Sequence, residues 1–238
     1  MSARDTVLSS IRRSLGVSGR EAPRRAAVTD RLTRHPAGIV PARGQLGPKA
    51  RRDLFRSMME LAAGTVEEVA DVGDVPAAVA ALLRRHNLPP AVRRGGDPRL
   101  DAVPWERERT LSVATGASDG NDLAAVSHAF GAAAETGTLM LVSGADNPTT
   151  LNFLPDTHIV VVDANDIAGD YEALWGRLRE RYEPGTMPRA VNWITGPSRS
   201  ADIEQTLILG AHGPRRLHVI VVTGEITKQS AQPFYGVG

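Results

Sequence analysis

The chain has 238 residues, of which 42% are hydrophobic and 23% charged, and its formal net charge is +1 at pH 7. This composition is ordinary for a globular protein, and the small net charge argues against a nucleic-acid binder held by an overall basic field. The sequence contains no cysteine, which excludes a disulfide, a catalytic thiol, a thiolate zinc site and a cysteine-ligated iron–sulfur cluster within it. We expect a cytoplasmic protein outside the membrane, because no apolar run reaches spanning length and the N-terminus lacks a signal-peptide core.

The first 48 residues differ in pattern from the rest of the chain. Val7, Leu8, Ile11 and Leu15 recur at spacings of three and four, which predicts an amphipathic helix over residues 1–16. A helix this short is marginal on its own, so we expect it to dock on its own domain, on a second copy or on a partner. Residues 17–48 are rich in Arg, Pro, Gly and Ala without a period, which predicts a flexible linker.

From residue 49 to residue 225, strand-like and helix-like patterns alternate. We predict strands at 65–72, 91–94, 110–114, 137–143, 158–163, 191–195 and 217–222. Helices are predicted from apolar faces formed by Leu54, Met58 and Leu61, by Val79, Leu82 and Leu83, and by Ile167, Tyr171, Leu174, Leu178 and Tyr182. An alanine-rich helix is predicted from Asn121 or Asp122 to Ala134. This alternation indicates an α/β domain with a mostly parallel open sheet and helices on both faces.

The predicted sheet also suggests where a ligand would bind. Ligands of such folds lie outside the carboxyl ends of the strands. The loops after Ala114, Ser143, Asp163, Thr195 and Val222 should therefore share one edge. Residues 226–238 are predicted to be a loose C-terminal tail.

The stretch from 191 to 222 carries the most specific pattern in the chain. It contains Gly196-Pro197-Ser198-Arg199-Ser200-Ala-Asp202-Ile-Glu, followed by Gly210-Ala-His212-Gly213-Pro214. We predict a helix over 201–209, capped by Ser200, with Asp202 in its positive first turn and Gly210 as its stop. Arg199 would then stand beside a helix N-terminus, where a small anion could bind. The alternative is a simple capped turn with Arg199 in solvent.

These residues resemble the signature of the lactate utilization (LUD-domain) family, and most closely its C-type members. Two further blocks carry the resemblance, which covers roughly residues 49–222. One is Ala134-Glu135-Thr136-Gly137-Thr138-Leu139, and the other is Asn152-Phe153-Leu154-Pro155-Asp156-Thr157-His158-Ile159. The family's fold is similar to the sugar-isomerase and coenzyme A transferase-like superfamily, which agrees with the alternating pattern.

The resemblance also suggests site residues. Glu135 and His212 become the candidate catalytic residues. The candidate substrate-binding residues are Thr136, Gly137, Thr138, His158, Gly196, Pro197, Ser198, Arg199, Ser200, Asp202 and Gly213. On its own pattern, Glu135 closes a predicted helix, where a carboxylate is unfavourable, so it is either a functional group or an exposed glutamate. His158 and His212 could equally be hydrogen-bonded structural residues, and no metal site is expected.

The resemblance implies a subunit of a bacterial system that oxidises L-lactate to pyruvate. In that system partner subunits carry the iron–sulfur clusters, and this chain supplies a carboxylate-binding or organising domain without a cofactor of its own. One alternative is a stand-alone acyl- or sugar-phosphate-handling enzyme, with Glu135 as nucleophile or base. Another is a non-catalytic interaction protein that docks through its N-terminal helix. Whether the chain is itself an enzyme, and whether it forms a homo-oligomer, stay open at this point.

Overall fold

A computed structural model describes residues 2–201 and 207–224 of the chain. The chain divides into two compact units, Met1–Ile39 and Val40–Gly238. The C-terminal tail predicted for residues 226–238 and the predicted site residue Asp202 lie outside the described residues. No helix in the described ranges combines the length and the apolarity needed to cross a bilayer.

The first unit contains two helices, α1 (Ala3–Leu15) and α2 (Ala22–Arg34). The predicted N-terminal helix is confirmed: Ser2 and Asp5 form a capping box, and Gly16 ends the helix in the left-handed conformation. The prediction of a flexible linker is wrong for residues 22–34. Alanine and arginine are good helix formers, and proline is tolerated in the first turn, so this segment is helical without an apolar period of its own.

The second unit alternates strands with helices. Its helices are α3 (Pro48–Leu61), α4 (Val75–Arg85), α5 (Pro98–Asp101), α6 (Thr150–Phe153) and α7 (Tyr171–Arg181), with 3₁₀ turns at Ala42–Gly44, Val72–Asp74, Trp105–Arg107 and Ala164–Asp166. Its strands are β1 (Thr65–Val69), β2 (Ala91–Arg94), β3 (Ser112–Thr115), β4 (Ala124–His128), β5 (Gly131–Ala133), β6 (Thr138–Val142), β7 (Thr157–Asp163), β8 (Ile167–Ala168), β9 (Val191–Ile194), β10 (Arg199–Ala201), β11 (Leu207–Leu209) and β12 (Arg216–Val222).

Six of these strands form the main sheet, in the order β1-β12-β7-β4-β2-β3. Every pairing within it is parallel, which confirms the predicted α/β fold. The register places His158 of β7 opposite Leu217 of β12, and Asp163 opposite Val222. Strand β7 is buried over its whole length, as expected for the interior of a parallel sheet covered on both faces.

The side chains of β7 alternate between two apolar cores. Ile159 and Val161 belong to a core that also contains the buried side chains of α4 and α5. Val160 and Val162 belong to a second core, which contains Phe55 and Met59 of α3. The buried face of α3 is therefore shifted by one position from the predicted Leu54, Met58 and Leu61, and Leu61 is exposed.

A second sheet, which we did not predict, covers the face of the main sheet next to α3. Its four strands have the order β8-β5-β6-β9, and β6 is antiparallel to both β5 and β9. Helix α7 packs on its other side through Leu174 and Leu178. Because β6 and β9 belong to this sheet, the loops after Ser143 and Thr195 do not share the carboxyl edge of the main sheet, and that expectation is wrong.

The alanine-rich segment 121–134 forms β4 and β5 instead of the predicted helix. Alanine favours helices in isolation, but every residue of these two strands is buried, and their small side chains fit between closely packed layers. Asp122, a predicted helix cap, instead accepts a hydrogen bond from Arg93 Nε at 2.6 Å. Burial in the sheet therefore overrides the local helix propensity.

Candidate functional site

A cleft of about 280 Å³ lies beside the amino ends of β7 and β12. It brings together three predicted segments that are far apart in sequence. Its lining residues are Asn152, Phe153, His158, Trp193, Ile194, Thr195, Gly196, Pro197, Ser198, Arg199, His212, Gly213, Pro214 and Leu217. The cleft is therefore at the opposite edge of the main sheet from the one we expected, although it collects most of the predicted site residues.

Two glycine-containing loops form one wall of the cleft. Gly196 has a positive φ of 72°, and a side chain there would collide with the carbonyl of Ala62 at the end of α3. Ser198 donates its backbone N–H to Pro214 O at 2.8 Å, and Gly210 donates to Ser198 O at 2.9 Å. These bonds hold the Gly-Pro-Ser-Arg loop against the His-Gly-Pro loop, which explains why the two motifs occur together.

On both sides of residues 202–206, which lie outside the described ranges, the segment after Gly196 forms strands and not the helix predicted over 201–209. Strands β10 and β11 pair as an antiparallel hairpin, with Arg199 opposite Leu209 and Ser200 opposite Ile208. Signals such as Ser followed by Ala and Asp suit a turn as well as a helix cap, and here hairpin pairing prevails. The helix N-terminus that we expected to attract an anion is absent at Arg199, so an anion there would depend on side chains and loop N–H groups.

Arg199 lies on the exposed rim of the cleft. Its guanidinium NH2 group donates a hydrogen bond to the carbonyl of Ala62, which follows the last residue of α3. A cation that bonds to a carbonyl at a helix C-terminus is favourable. A guanidinium carries five N–H donors in a planar fork, so this contact also fixes its orientation without using its whole bonding capacity.

His158 is completely buried at the base of the cleft. Its Nε2 lies 2.9 Å from Ser127 Oγ, and Ser127 donates its own proton to Asn152 Oδ1 at 3.2 Å. Ser127 must therefore accept from His158, which places the imidazole proton on Nε2. Nδ1 is then a bare acceptor, without a hydrogen-bond partner in the described part of the chain. Burial lowers the pKa of His158 to about 3, so the ring is neutral at pH 7.

A cluster of hydroxyl groups connects the cleft with the second family block. Thr138 Oγ1 lies 2.6 Å from Thr195 Oγ1, 2.8 Å from Tyr171 Oη and 2.7 Å from Thr136 Oγ1. Thr195 lines the cleft, whereas Thr138 is fully buried. Gly137 between the two block threonines has a φ of 65°, a left-handed conformation that glycine adopts readily in a tight turn. Thr136 and Thr138 thus do not line the cleft themselves, but their hydrogen bonds help to position Thr195, which does.

Glu135 does not line the cleft. Its carboxylate is buried and accepts a hydrogen bond from the backbone N–H of Tyr171, the first residue of α7, at 3.2 Å. We expected it at a helix C-terminus, where a carboxylate is unfavourable. The structure instead places it at a helix N-terminus, where the dipole stabilises it, so the local conflict that marked Glu135 as functional does not exist.

The sequence profile of the LUD domain matches residues 53–222, which is more than half of the chain. The chain belongs to the LUD domain family. The match includes both sheets, the cleft and all three motif blocks, whereas helices α1 and α2 lie outside it. The cleft is accordingly a feature of the LUD domain.

Individual relatives align with this chain over a shorter stretch than the family profile does. Lactate utilization protein C of Geobacillus sp. (strain WCH70) is 42% identical over 91 residues, and that of Bacillus subtilis (strain 168) is 38% identical over 91 residues. Each alignment covers 38% of this chain, and the chain spans 38% of the length of these relatives.

A solved LUD-like structure supports the same fold. The crystal structure of a DUF162 family protein from Deinococcus radiodurans aligns with a TM-score of 0.52 and 25% sequence identity. The alignment covers 74% of this chain and 99% of that chain. The α/β architecture is therefore shared with an experimentally determined relative.

Several residues that line the LUD cleft or support its lining could not be predicted from the sequence. Ser127 lies in the segment that we predicted as a helix, so its approach to His158 could not be anticipated. Thr195 and Trp193 were treated only as parts of a strand, and Asn152 only as part of a motif. Asn152 offered the one usable signal, because it stands in the same quoted block as His158.

The cleft combines apolar lining residues, among them Phe153, Ile194 and Leu217, with a polar rim. The Trp193 ring itself packs on α7, against Tyr171 and Trp175 at centroid distances of 4.7 and 5.5 Å. Arg199 and His212 are exposed, while His158 lies at the buried base. Among the described residues, no group of three His, Cys, Asp or Glu side chains could hold a metal ion. This arrangement suits a small anion that also carries an apolar group.

Proposed function

We propose that this chain acts in lactate utilization and binds a small carboxylate in the LUD cleft. Membership of the family and the names of the curated relatives support the process. The binding site is supported by one observation: three separate motif segments converge on one cleft, with Arg199 on its rim. The ligand class follows from the combination of a forked cation with apolar lining residues.

The proposed ligand is an α-hydroxy or α-keto acid of about the size of lactate. Its carboxylate pairs with the Arg199 guanidinium, whose orientation the Ala62 carbonyl already fixes. Thr195 contributes a hydroxyl that Thr138 holds in place. The methyl group of the ligand packs on the apolar lining formed by Phe153, Ile194 and Leu217, and His212 lies on the rim in the facing loop. In this role His158 is a positioning residue, because it is neutral and bonded to Ser127.

Oxidation of lactate to pyruvate releases two electrons and two protons, which requires a redox partner. This chain has no cysteine to ligate an iron–sulfur cluster, so its residues do not fit such a group. We place the clusters in partner subunits, and this chain contributes the carboxylate site or organises the assembly. The proposal does not require that the chain performs electron transfer itself.

The alternative of a stand-alone acyl- or sugar-phosphate-handling enzyme depends on Glu135. That chemistry needs the carboxylate at the reacting carbon, and the structure puts it against the first turn of α7 instead. We therefore keep the carboxylate-binding proposal as the main one. Turnover of an acyl-coenzyme A or a sugar phosphate by the isolated chain would favour the alternative.

Calorimetric titration of the full chain with L-lactate, pyruvate and acetate tests the ligand. We expect the two three-carbon acids to bind more tightly than acetate. Acetate lacks the hydroxyl or keto oxygen on the α-carbon and has one carbon fewer for apolar contact. Thr195→Val should weaken binding of L-lactate, while Arg109→Ala, a change at an exposed arginine outside the cleft, should leave it unchanged. Equal affinity for all three anions, or no binding of any, would overturn the proposed ligand.

The proposed assembly is tested separately. A tagged full-length chain is used to capture proteins from a bacterium that expresses it, and captured cysteine-rich subunits with iron–sulfur absorbance support the proposal. The purified chain alone should show no cluster absorbance and should not oxidise lactate. Stoichiometric iron with cluster absorbance in the isolated chain would contradict it, as would unchanged lactate oxidation in extracts that lack the chain.

A further inference from the structure

A second cavity, of about 120 Å³, lies at the amino ends of β1, β7 and β12. Thr157 lines this cavity and the next residue, His158, lines the cleft. Because successive side chains of a strand point to opposite faces, the two spaces lie on opposite faces of the main sheet. The polar residues around the second cavity are Thr65, His86, Thr157, Arg215, Arg216 and His218.

Two lining residues of this cavity have a buried polar atom without a hydrogen-bond partner in the described part of the chain. Thr157 Oγ1 and His218 Nε2 make no hydrogen bond to any residue in 2–201 or 207–224. Thr157 is fully buried and His218 nearly so. A buried donor or acceptor without a partner is costly, and such groups usually bind a ligand, an ion or water. The cavity thus offers unsatisfied bonding capacity in a confined space.

The charges around the cavity are mainly positive. Arg216 begins the last strand, Arg215 directly precedes it, and His86 follows α4. The pKa of His86 is lowered by burial and by the nearby charges of Arg216 and Arg85. The pKa of His218 is lowered to about 4 by burial, with smaller effects of Arg85 and His86. Two carboxylates lie near the lining residues of the cavity. Glu67 Oε2 is 3.5 Å from His218 Nε2, and Asp156 Oδ2 is 3.5 Å from Arg215 Nε.

We propose that this cavity binds a small oxyanion, with inorganic phosphate as its representative ligand. A cavity of about 150 Å³ holds benzene, which has six heavy atoms, so a cavity of about 120 Å³ has room for the five heavy atoms of phosphate. Arg216 supplies the charge, and Thr157 supplies a hydroxyl donor that the protein leaves unused. Hydrogen phosphate also carries an O–H group that can donate to an imidazole nitrogen.

This site is separate from the proposed carboxylate site, although one segment serves both. His212, Gly213 and Pro214 line the cleft, whereas Arg215, Arg216 and His218 line the oxyanion cavity. Leu217 lines both spaces. The oxyanion proposal does not depend on lactate as the ligand of the cleft, and it can succeed or fail independently.

The test is a titration of the full chain with inorganic phosphate, followed by NMR of the histidine rings. We expect saturable shifts of His86 and His218, and a higher pKa of His86 with phosphate bound, because an anion favours the protonated ring. Arg216→Gln should weaken binding by about tenfold or more. Arg109→Gln, a change at an exposed arginine that lines neither space, is the matched control and should bind phosphate as the wild type does.

A second variant keeps the test informative if Arg216→Gln does not fold. Thr157→Val removes only the unpartnered hydroxyl, so the protein should lose no stability while its phosphate affinity falls several-fold. A parallel titration with acetate distinguishes an oxyanion site of this shape from a general carboxylate site, since acetate should bind more weakly. The absence of saturable shifts at His86 and His218, or undiminished phosphate binding in both variants, would overturn the proposal.

Discussion

The guanidinium of Arg199 donates a hydrogen bond to the backbone carbonyl of Ala62, at the end of α3. This contact joins the Gly-Pro-Ser-Arg loop to a helix 137 residues earlier in the chain. Gly196 of the same loop lies against the same carbonyl, and no side chain would fit there. Arg199 therefore has a structural partner in addition to its place on the rim of the cleft, and its two roles need separate measurements.

We predict that Arg199→Ala weakens binding of the cleft ligand by about tenfold to a hundredfold. It should also lower the melting temperature by about 2–4 °C, because the helix C-terminus loses a donor. Arg199→Lys should retain most of the stability but only part of the affinity, since lysine keeps the charge and loses the fork. Calorimetry with L-lactate and thermal melts check both effects. Unchanged affinity together with a lower melting temperature would show that Arg199 is only structural.

We predict that Glu135→Gln changes stability without changing ligand affinity. The carboxylate faces the N-terminus of α7, and replacing it with a neutral amide should cost about 0.5–1 kcal/mol of unfolding free energy. Urea unfolding measures the cost, and calorimetry with L-lactate measures the affinity. Glu172→Gln, in the first turn of the same helix, is the matched control for the loss of one charge. A loss of affinity in Glu135→Gln with unchanged stability would restore Glu135 as a site residue.

The parts of the fold that could be predicted are those whose signal is local. The apolar run of β7 fills two cores, so its pattern alone indicates a buried parallel strand. The capping box of α1 and the apolar face of α4 are likewise contained within a few residues. The unpredicted parts depend on contacts between distant segments. Nothing local shows that β6 pairs with β9, about fifty residues later in the register.

The same distinction applies to the candidate site. Motif resemblance selected residues that do meet in one cleft, among them His158, Arg199 and His212. It could not show that Glu135 faces α7 rather than the cleft, because that depends on where Tyr171 begins its helix. The hairpin of β10 and β11 was missed for a different reason: the cap and turn signals around Ser200 use the same residue types.

We predict that Gly137→Ala is strongly destabilising. Gly137 has a φ of 65°, and a side chain there would come within 2.6 Å of the backbone of Met58 in α3. The left-handed conformation alone costs an alanine about 1–2 kcal/mol, and the collision adds to this. Gly176→Ala is the control, because it lies in α7 with open space around it and should stabilise the protein slightly. Chemical unfolding of both variants checks the contrast, and similar effects would contradict it.

We predict that a chain beginning at Val40 still folds cooperatively but loses self-association or partner binding. Helices α1 and α2 bury none of their side chains, and the LUD match begins only at residue 53. Calorimetric melting and light scattering compare the shortened chain with the full one. Replacing Val7 and Ile11 with glutamine in the full chain should reproduce the loss, because both are exposed on one helix face. Loss of the cooperative transition on shortening would refute the prediction.

We predict that the unfolding free energy falls as the pH is lowered from about 6.5 to about 4. His128, His158 and His218 are buried, and burial lowers their pKa values to about 3, 3 and 4. The histidines of the unfolded chain have pKa values of about 6.5. Between about pH 6.5 and pH 4 the unfolded chain therefore binds protons that the folded chain does not bind. Each buried histidine contributes a slope of up to about 1.4 kcal/mol per pH unit, and the stability is fully present only above about pH 6.5.

Urea unfolding at a series of pH values measures this slope. His158→Gln should reduce the slope by about one third, whatever it does to stability at pH 7, because one of three titrating groups is gone. His35→Gln, a change at an exposed histidine, is the matched control for the loss of one histidine. Asp97 adds a separate effect at lower pH. Its burial opposes ionisation, but the two hydrogen bonds from Arg99 prevail and hold its pKa well below the usual range. This carboxylate therefore stabilises the fold fully above about pH 4, and the stabilisation is lost progressively below that pH, where the unfolded chain takes up the proton first. A slope that is flat between pH 6.5 and 4 in the wild type would mean that these histidines are not held neutral by the fold.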